Sequence, residues 1–218
     1  MEISTSILSV EEEKATRTFY DIEVAKTDYF HIDVMDGKFV KQDTSKLMKE
    51  YANTIHHISN LPLDVHLMVE KPTTWIEEYS LLEPNFITIH YESFRNKEEL
   101  LSAIQLIKSY GIRAGISIKP ETKIEEILAY LPIVSLVLVM TVEPGKGGQT
   151  LLAYTLEKVR RLADYREKQA LDYFIEADGG INLDTIEEIK QAGCDIAVVG
   201  TAIIQAENKK EMIQKLKE

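Results

Sequence analysis

Short apolar runs recur at regular intervals along the chain, and stretches with helical periodicity separate them. The pattern predicts eight strands, at 3–8, 29–35, 63–69, 86–90, 113–118, 134–140, 172–177 and 195–199. The helical stretches include 44–58, 72–82 and 98–111, and the last of these ends at Gly111, a residue type that commonly terminates helices. Strands that alternate with helices in this way are typical of βαβ units and a parallel sheet.

Eight βα units fit within the 218 residues of the chain, and this number is typical of a (β/α)8 barrel. A doubly wound open sheet is the alternative, because its parallel strands are equally buried. Polar residues at the C-terminal ends of several predicted strands favour the barrel, since those ends converge on one mouth. The sequence therefore predicts an α/β fold, with a single (β/α)8 TIM barrel domain over residues 1–218.

The composition narrows the range of partners. Hydrophobic residues make up 44% of the chain, enough for a sizeable core, and the formal net charge is −11. An acidic protein is repelled by nucleic acids and by anionic membrane surfaces, so we expect neither as a partner. An anionic small molecule stays compatible with this charge, because a few backbone N–H groups can bind a phosphate locally.

The single cysteine, Cys194, excludes an internal disulfide and a cysteine-based zinc cluster. Its position just before a predicted strand indicates a small buried side chain. The segment MEISTSILSV has neither a basic region nor a long apolar run, and the apolar run 133–140 is too short to cross a bilayer. We therefore expect a cytoplasmic protein without a signal peptide.

The stretch HIDVMDG, residues 31–37, places His31, Asp33 and Met35 at alternate positions of a predicted strand. Alternation with a period of two directs these three side chains to one face of the sheet. A buried face normally carries apolar side chains, whereas this one carries an imidazole, a carboxylate and a thioether. The next predicted strand repeats the pattern with His66 and Met68.

Further polar side chains and a third thioether follow at the ends of later strands, with Asp178 after the seventh strand and Met140 at the end of the sixth. Two histidines and two aspartates that meet at one mouth can hold a divalent cation and leave a position open for substrate oxygens. Zinc, ferrous iron, manganese and cobalt are all compatible with such ligands. Taken singly, a histidine of this kind is more often a hydrogen-bonded core residue than a ligand, and an aspartate near a strand end usually forms a cap or a turn.

Glycine-rich segments follow the last three predicted strands: EPGKGGQT at 143–150, DGGI at 178–181 and GTAI at 200–203. Loops after the last strands of a barrel commonly bind phosphate through backbone N–H groups. Glycine also permits tight βα turns without any ligand, so each loop alone is a weak indication. Three consecutive loops of this kind favour a phosphate site.

The motifs TSILS, HIDVMDGKFV, PLDVHLMVEKP, LVLVMTVEPGKGGQ, IEADGGI and VVGTAI, taken together, resemble those of the ribulose-phosphate 3-epimerase family in order and spacing. The resemblance covers the chain from Ser6 to Ile203. It implies a ribulose-phosphate-binding (β/α)8 barrel and one divalent metal cation, held by His31, Asp33, His66 and Asp178. It also implies a sugar phosphate substrate and an isomerase of the pentose phosphate pathway.

The resemblance further implies that Asp33 and Asp178 form an acid/base pair that inverts C3 of D-ribulose 5-phosphate to give D-xylulose 5-phosphate. One carboxylate removes the C3 proton, the other returns a proton from the opposite face, and the metal stabilises the cis-enediolate between these steps. The residues implied to contact the substrate are Ser6, His66, Met35, Met68, Met140, Gly145, Gly147, Gly148, Gly179, Gly180, Gly200 and Thr201.

Two segments depart from the pattern of the family. The stretch KQDTSKLM after DGKFV is charged and lacks proline and glycine, and Glu143 and Lys146 replace residue types that are usual in the loop after the sixth strand. We therefore keep two alternatives, a D-allulose 6-phosphate 3-epimerase and a non-catalytic sugar-phosphate-binding protein. An orotidine or hexulose phosphate enzyme is disfavoured, because Met35 stands where its Asp-x-Lys-x-x-Asp run needs lysine.

Two further points concern His90 and the assembly. His90 either reaches the substrate end of the barrel, as its counterpart in the family suggests, or caps the fourth predicted strand. Several apolar residues on outer helix faces indicate a homo-oligomer, of a symmetry that the sequence does not specify.

Overall fold

The computed structural model describes residues 1–218 and contains eight parallel strands that close into a barrel. Each strand pairs with the next along the chain, and the first strand pairs with the last. The strands are β1 (Glu2–Ser6), β2 (Tyr29–Met35), β3 (Leu63–Met68), β4 (Phe86–His90), β5 (Arg113–Ile118), β6 (Leu136–Met140), β7 (Phe174–Asp178) and β8 (Ile196–Val199). All eight predicted strands are present, with ends that differ by one or two residues at most, and the predicted (β/α)8 barrel is confirmed.

Helices surround the barrel and connect most of its strands. They are α1 (Ala15–Val24), α2 (Ser45–Ile58), α3 (Pro72–Ser80), α4 (Lys97–Ser109), α5 (Leu156–Gln169), α6 (Ile186–Gln191), α7 (Thr201–Ile204) and α8 (Lys209–Lys217). The three helical stretches predicted above correspond to α2, α3 and α4. Gly111 follows α4 with a φ of +76°, the left-handed conformation that ends helices.

The connection between β5 and β6 differs from the expected regular alternation of strand and helix. Two short 3₁₀ turns, Ile124–Glu126 and Leu131–Ile133, replace an α-helix there. The backbone N–H groups of Ile127 and Tyr130 donate to carbonyls three residues earlier, and Pro132 lacks the N–H that would continue a helix through this segment. The (β/α)8 architecture is kept, with 3₁₀ turns in place of an α-helix at this one crossover.

The two faces of the strands have different roles. Side chains such as Ile32, Val34 and Val65 point outward and form, with the helices, one large apolar layer of buried residues. A smaller apolar cluster of Tyr29, Phe86, Leu136 and Ile196, with neighbouring residues, belongs to the inward-facing positions. These four residues lie at or near the N-terminal ends of their strands, so they close the bottom of the barrel and leave the polar inward positions nearer the mouth.

The register between β2 and β3 positions the candidate site. His31 pairs with Asp64, Asp33 with His66 and Met35 with Met68, so the inward-facing polar residues of the two strands lie side by side.

None of the helices combines the length and the hydropathy that a bilayer-spanning segment requires.

Candidate active site

Four of the predicted site residues converge inside the barrel. One ligand atom from each of His31, Asp33, His66 and Asp178 lies within 4.8 Å of the corresponding atoms of the others. His66 Nδ1 lies 3.7 Å from Asp33 Oδ1 and 3.6 Å from Asp178 Oδ2. His31 Nε2 lies 3.4 Å from the same Asp33 oxygen. The structure therefore brings together four residues that are separated by up to 147 positions in the sequence.

This set of atoms fits a divalent cation. His31 Nε2 and His66 Nδ1 are both buried and have no hydrogen-bond partner, although buried polar atoms in folded proteins almost always have one. Both atoms face the Asp33 carboxylate at distances longer than a hydrogen bond. Two imidazole nitrogens and two carboxylates around one point form a donor set that zinc, ferrous iron, manganese and cobalt accept.

The ring of His31 is fixed from its far side. Its Nδ1 lies 2.6 Å from Asp64 Oδ2, an oxygen that also accepts a hydrogen bond of 2.7 Å from the Ser4 hydroxyl. Burial alone would lower the pKa of His31, but the charges of Asp64 and Asp33 outweigh burial and raise that pKa well above its usual value. An Nδ1–H that donates to Asp64 leaves Nε2 directed toward Asp33.

Asp33 is held in its ionised form. Burial would raise the pKa of its carboxyl group, but His31 and then His66 outweigh burial and keep the pKa well below the usual range. The Ser6 hydroxyl donates a hydrogen bond of 2.7 Å to Asp33 Oδ2, which orients the other oxygen toward the two histidines. The predicted site residue Ser6 therefore contacts a candidate ligand directly.

The sequence reasoning missed two carboxyl groups beneath the site. Asp64 and Glu176 are buried, and together with His31 they form a second cluster whose ligand atoms lie within 4.8 Å of one another. Burial, and after it the charge of Asp64, raises the pKa of Glu176 well above its usual value. The raised pKa keeps the Glu176 carboxyl group protonated to a higher pH than usual, and neither of its oxygens has a hydrogen-bond partner. Both residues lie two positions before a predicted ligand, so alternation along the strand was the signal for them.

A pocket of about 310 Å³ opens above the four converging residues. Asp33 and Asp178 line it, whereas His31 and His66 lie beneath it and are completely buried. The other predicted contact residues that line the pocket are Ser6, Met35, Met68, Met140, Gly145, Gly147, Gly148, Gly179, Gly180, Gly200 and Thr201. The structure thus gathers these eleven residues and both aspartates around one space.

The glycines after β7 have a conformational explanation of their own. Gly179 and Gly180 have φ values of +121° and +71°, and a Cβ atom on either would come within 2.3 Å of Val142 or the Leu151 backbone. Glycine is therefore required where the loops after β6 and β7 approach each other. Gly200 differs, because its φ is not positive and a Cβ atom would lie 3.3 Å from the Ser6 side chain.

The loop after β2, which leads into the first of the two unusual segments, contacts the loop after β6 at the rim of the pocket. Asp36 Oδ1 accepts hydrogen bonds of 2.9 Å from the N–H groups of Lys38 and Phe39, which fixes the loop after β2. A Cβ atom on Gly145 would lie 2.8 Å from Val40, so this loop and the loop after β6 are in close contact. Glu143 and Lys146 line the pocket and are exposed.

His90 lies below the pocket and does not line it. Its side chain is completely buried, and its Nε2 lies 2.9 Å from His66 Nε2. His90 is the last residue of β4, at the substrate end of the barrel, but it does not line the pocket. Its contact is with the ring of a candidate ligand.

Comparison of the sequence with known proteins gives one consistent result. The model of the Ribulose-phosphate 3 epimerase family matches residues 2–204. A ribulose-phosphate 3-epimerase of Helicobacter pylori is 37% identical over 217 residues, which cover 99% of this chain and 96% of the relative. One from Bacillus subtilis is 35% identical over 221 residues, with coverages of 100% and 98%. Relatives of this name therefore match the chain over nearly its whole length.

Solved structures share the fold at low sequence identity. A 3-hexulose-6-phosphate synthase superposes with a TM-score of 0.68 at 15% identity and covers 100% of this chain and 98% of its own. KGPDC from Streptococcus mutans has a TM-score of 0.72 at 10% identity, with coverages of 99% and 95%. At these identities the likeness extends to the barrel and carries no argument about activity.

Proposed function

Because the chain belongs to the ribulose-phosphate 3-epimerase family, we propose that it is an isomerase that interconverts D-ribulose 5-phosphate and D-xylulose 5-phosphate. The observation that carries the proposal is the pair of carboxylates in the pocket. Asp33 comes from β2 and Asp178 from β7, and both approach His66 Nδ1, at 3.7 Å and 3.6 Å. Two carboxylates on different strands can act on two faces of one substrate carbon.

The proposed reaction transfers one proton out and one proton in at C3. One carboxylate takes the C3 proton, and the electron pair of the broken C–H bond enters a C2–C3 double bond while the C2 oxygen gains negative charge. The other carboxyl group then donates a proton to C3 from the opposite face, and the C2 carbonyl re-forms. The low pKa of Asp33 keeps its carboxylate ionised, so this residue can accept a proton in the resting enzyme.

We propose that His31, Asp33, His66 and Asp178 hold one divalent cation, either zinc, ferrous iron, manganese or cobalt. Bound there, the cation would supply Lewis acidity that stabilises negative charge on the substrate oxygens. Ser6 orients Asp33, and Met35, Met68 and Met140 present an aprotic surface that keeps water away from the reacting carbon. The glycine-rich loops contribute N–H groups for the phosphate.

The partners follow from this proposal. The substrate is a small sugar phosphate, and neither nucleic acid nor a membrane is needed for the reaction. The cytoplasmic location and the homo-oligomeric assembly expected from the sequence stay predictions, and sedimentation of the purified protein measures the latter.

Proton NMR of D-ribulose 5-phosphate in D2O with the metal-loaded protein tests the function. We expect loss of the C3 proton signal together with the appearance of xylulose 5-phosphate. If C3 stays protonated, D-allulose 6-phosphate in the same assay distinguishes a six-carbon substrate from a protein that only binds sugar phosphates. The charged residues Glu143 and Lys146 at the rim are the reason for this second substrate.

The variants Asp33→Asn and Asp178→Asn test the assignment of the two carboxylates. We expect each to lower epimerisation by about 100-fold or more, and each to exchange the C3 proton of only one epimer, a different one for each variant. Metal content is measured in parallel, because both residues are also proposed ligands. Asp21→Asn, on the exposed face of α1, is the matched control and should leave activity unchanged. Loss of exchange in both epimers with either variant, at full metal content, would contradict a two-carboxylate reaction.

A further inference from the structure

A chain of hydrogen bonds extends from His66 away from the pocket. His66 Nε2 lies 2.9 Å from His90 Nε2, whereas the ring centroids are 5.0 Å apart, so the rings meet tip to tip and the contact lies close to both ring planes. His90 Nδ1 in turn lies 2.9 Å from Glu92 Oε2. Both rings are completely buried. Neither His90 nor Glu92 lines the pocket, so neither is placed to contact a substrate.

The far end of this chain is fixed by a backbone donor, the Lys119 N–H, whose direction cannot change. Glu92 Oε1 accepts a hydrogen bond of 2.7 Å from the backbone N–H of Lys119 and another from the Thr122 hydroxyl. The loop that carries these donors is itself held by Lys158, whose Nζ donates to the carbonyls of Lys119, Pro120 and Thr122. A backbone N–H only donates, so the carboxylate is anchored as an acceptor.

The acceptor at this end sets the direction of every bond in the chain. An ionised carboxylate cannot donate, so His90 Nδ1 must carry the hydrogen of the bond to Glu92. In a neutral ring the other nitrogen is then bare, so His90 Nε2 accepts and His66 Nε2 donates. His66 Nδ1 is left bare, and this is the buried atom that has no hydrogen-bond partner and faces Asp33 and Asp178.

We propose that Glu92 and His90 are positioning residues that fix His66 in the Nε2–H tautomer and keep its Nδ1 lone pair directed at the metal site. This inference rests on the proposed function for the identity of that site. A ring held by a hydrogen bond at its far nitrogen binds a metal in one orientation, and loss of such a partner typically weakens metal binding by about 10–100-fold.

The surroundings of His90 support this role. The Phe39 ring packs against His90 with a centroid separation of 4.8 Å. Lys119 Nζ lies over the same Phe39 ring, 4.0 Å from its centroid. The hydrogen-bonded chain from His66 through His90 to Glu92, which we call the relay, is therefore covered by the loop after β2 and by the loop after β5. This cover keeps water away from the two ring nitrogens, which would otherwise offer either ring a different hydrogen-bond partner.

The substitution Glu92→Gln tests the direction of the relay. The Lys119 N–H and the Thr122 hydroxyl should hold the glutamine carbonyl, so its NH2 group faces His90 Nδ1 and makes that atom an acceptor. In each ring the hydrogen then sits on the other nitrogen. His66 Nδ1 therefore carries a hydrogen, which opposes metal binding. We expect Zn²⁺ affinity, measured by competition with a chelator, to fall by about 10–100-fold.

The matched control is Thr122→Val, which removes one donor to Glu92 but keeps the carboxylate beside His90. We expect its Zn²⁺ affinity to stay within about twofold of the unchanged protein, and Glu92→Asp to recover part of the loss seen with glutamine. Equal losses in Glu92→Gln and Thr122→Val would overturn the proposal, because they would assign the effect to the loop and not to the relay.

Long-range ¹H–¹⁵N NMR of the histidine rings, recorded without metal at pH 9, reads the tautomers directly and needs no variant to fold. We expect the Nε2–H form for His66 and the Nδ1–H form for His90, and the opposite forms in Glu92→Gln. A His66 ring with hydrogen on Nδ1 in the unchanged protein would overturn the proposal. Failure of the unchanged protein to bind Zn²⁺ would instead count against the metal site in the proposed function, and the tautomers would still decide the relay.

Discussion

The two histidines of the site are supported in different ways. His31 donates directly to a buried carboxylate, Asp64, which lies among the inward-facing residues of the barrel. His66 contacts a second histidine, and only through it a carboxylate, Glu92, whose side chain is 19% exposed. We call these the His31 arm (His31, Asp64 and Glu176) and the His66 arm (His66, His90 and Glu92).

This difference follows from what the barrel offers at each position. The register places Asp64 directly beside His31 on neighbouring strands, so one hydrogen bond is enough. Beside His66, the neighbouring residue in the register is Thr88, a short side chain whose hydroxyl has no hydrogen-bond partner. His90, two residues farther along β4, supplies the support instead. Removal of the Asp64 charge, inside the barrel, should therefore mainly lower the stability of the protein. Removal of the Glu92 charge, in the turn after β4, should mainly change the orientation of the His66 ring.

The largest effect is expected from Asp64→Ala. The substitution leaves the His31 Nδ1–H and the Ser4 hydroxyl buried without an acceptor, and breaking a buried pair in this way costs about 3–5 kcal/mol of unfolding free energy. Urea unfolding of the metal-free protein measures this. Asp64→Asn keeps an oxygen acceptor and should cost less, about 1–2 kcal/mol. If Glu92→Ala destabilises the protein as much as Asp64→Ala, the two arms do not differ as described.

The contribution of the His66 arm to the free energy of unfolding should be lost at low pH. Burial would raise the pKa of Glu92, but the hydrogen bonds from His90, the Thr122 hydroxyl and the Lys119 N–H outweigh burial and lower the pKa to about 2. The unfolded chain has the ordinary value of 4.5, so this stabilisation is fully present above pH 4.5 and is lost as the pH falls toward 2. It amounts to at most about 3 kcal/mol. Urea unfolding from pH 6 to pH 3 should show the gap between the unchanged protein and Glu92→Ala narrowing, and a constant gap would contradict the assignment.

Metal binding should respond to pH through both arms together. Burial lowers the pKa values of His31 and His66, but neighbouring carboxylates outweigh it and raise both above the usual value, so protons compete with a cation near neutrality. Where both rings are protonated, Zn²⁺ affinity should fall by up to about 100-fold per pH unit. Of the two histidines, only His31 has its pKa lowered by Asp64→Asn, so the slope near neutral pH should approach about tenfold. Isothermal titration calorimetry measures the slope, and an unchanged slope in the variant would contradict the role of Asp64.

The sequence was sufficient to predict the barrel and the residues that converge in it, because both depend on local periodicity. Alternation placed His31, Asp33 and His66 on one face, and the closed sheet brought Asp178 to them. The same alternation would have identified Asp64 and Glu176, since each lies two positions before a predicted ligand.

The relay of the His66 arm could not be found in this way. Glu92 lies beyond the end of β4, in the 3₁₀ turn Tyr91–Ser93, where a period of two no longer says where a side chain points. Its partners Lys119 and Thr122 follow β5, and their distance from Glu92 depends on the conformation of the loops after β4 and β5. The missing helix between β5 and β6 belongs to the same region, in which Pro132 interrupts a pattern that otherwise looks helical.

The smallest effect is expected from a substitution in the His31 arm, and it is a gain in stability. Burial and the charge of Asp64 raise the pKa of Glu176, so the folded protein keeps a proton that the unfolded chain releases above about pH 4.5. Stability therefore declines as the pH rises above that value. Glu176→Gln has no proton to lose, and its NH2 group can donate toward Asp64, whose Oδ1 has no hydrogen-bond partner. We expect equal stability near pH 4.5 and a gain of about 1 kcal/mol at neutral pH, measured by urea unfolding.

The control for this last substitution is Glu187→Gln, an exposed position on α6, where no pH-dependent change is expected. A loss of stability in Glu176→Gln at every pH would mean that Glu176 is ionised in the folded protein and that Asp64 is not its hydrogen-bond acceptor. The gain, by contrast, would show that the His31 arm keeps a single negative charge, on Asp64, and that this charge is what holds the ring. The two arms would then share one arrangement, a carboxylate acceptor at the end of each, and differ only in whether a second histidine stands between that acceptor and the ligand.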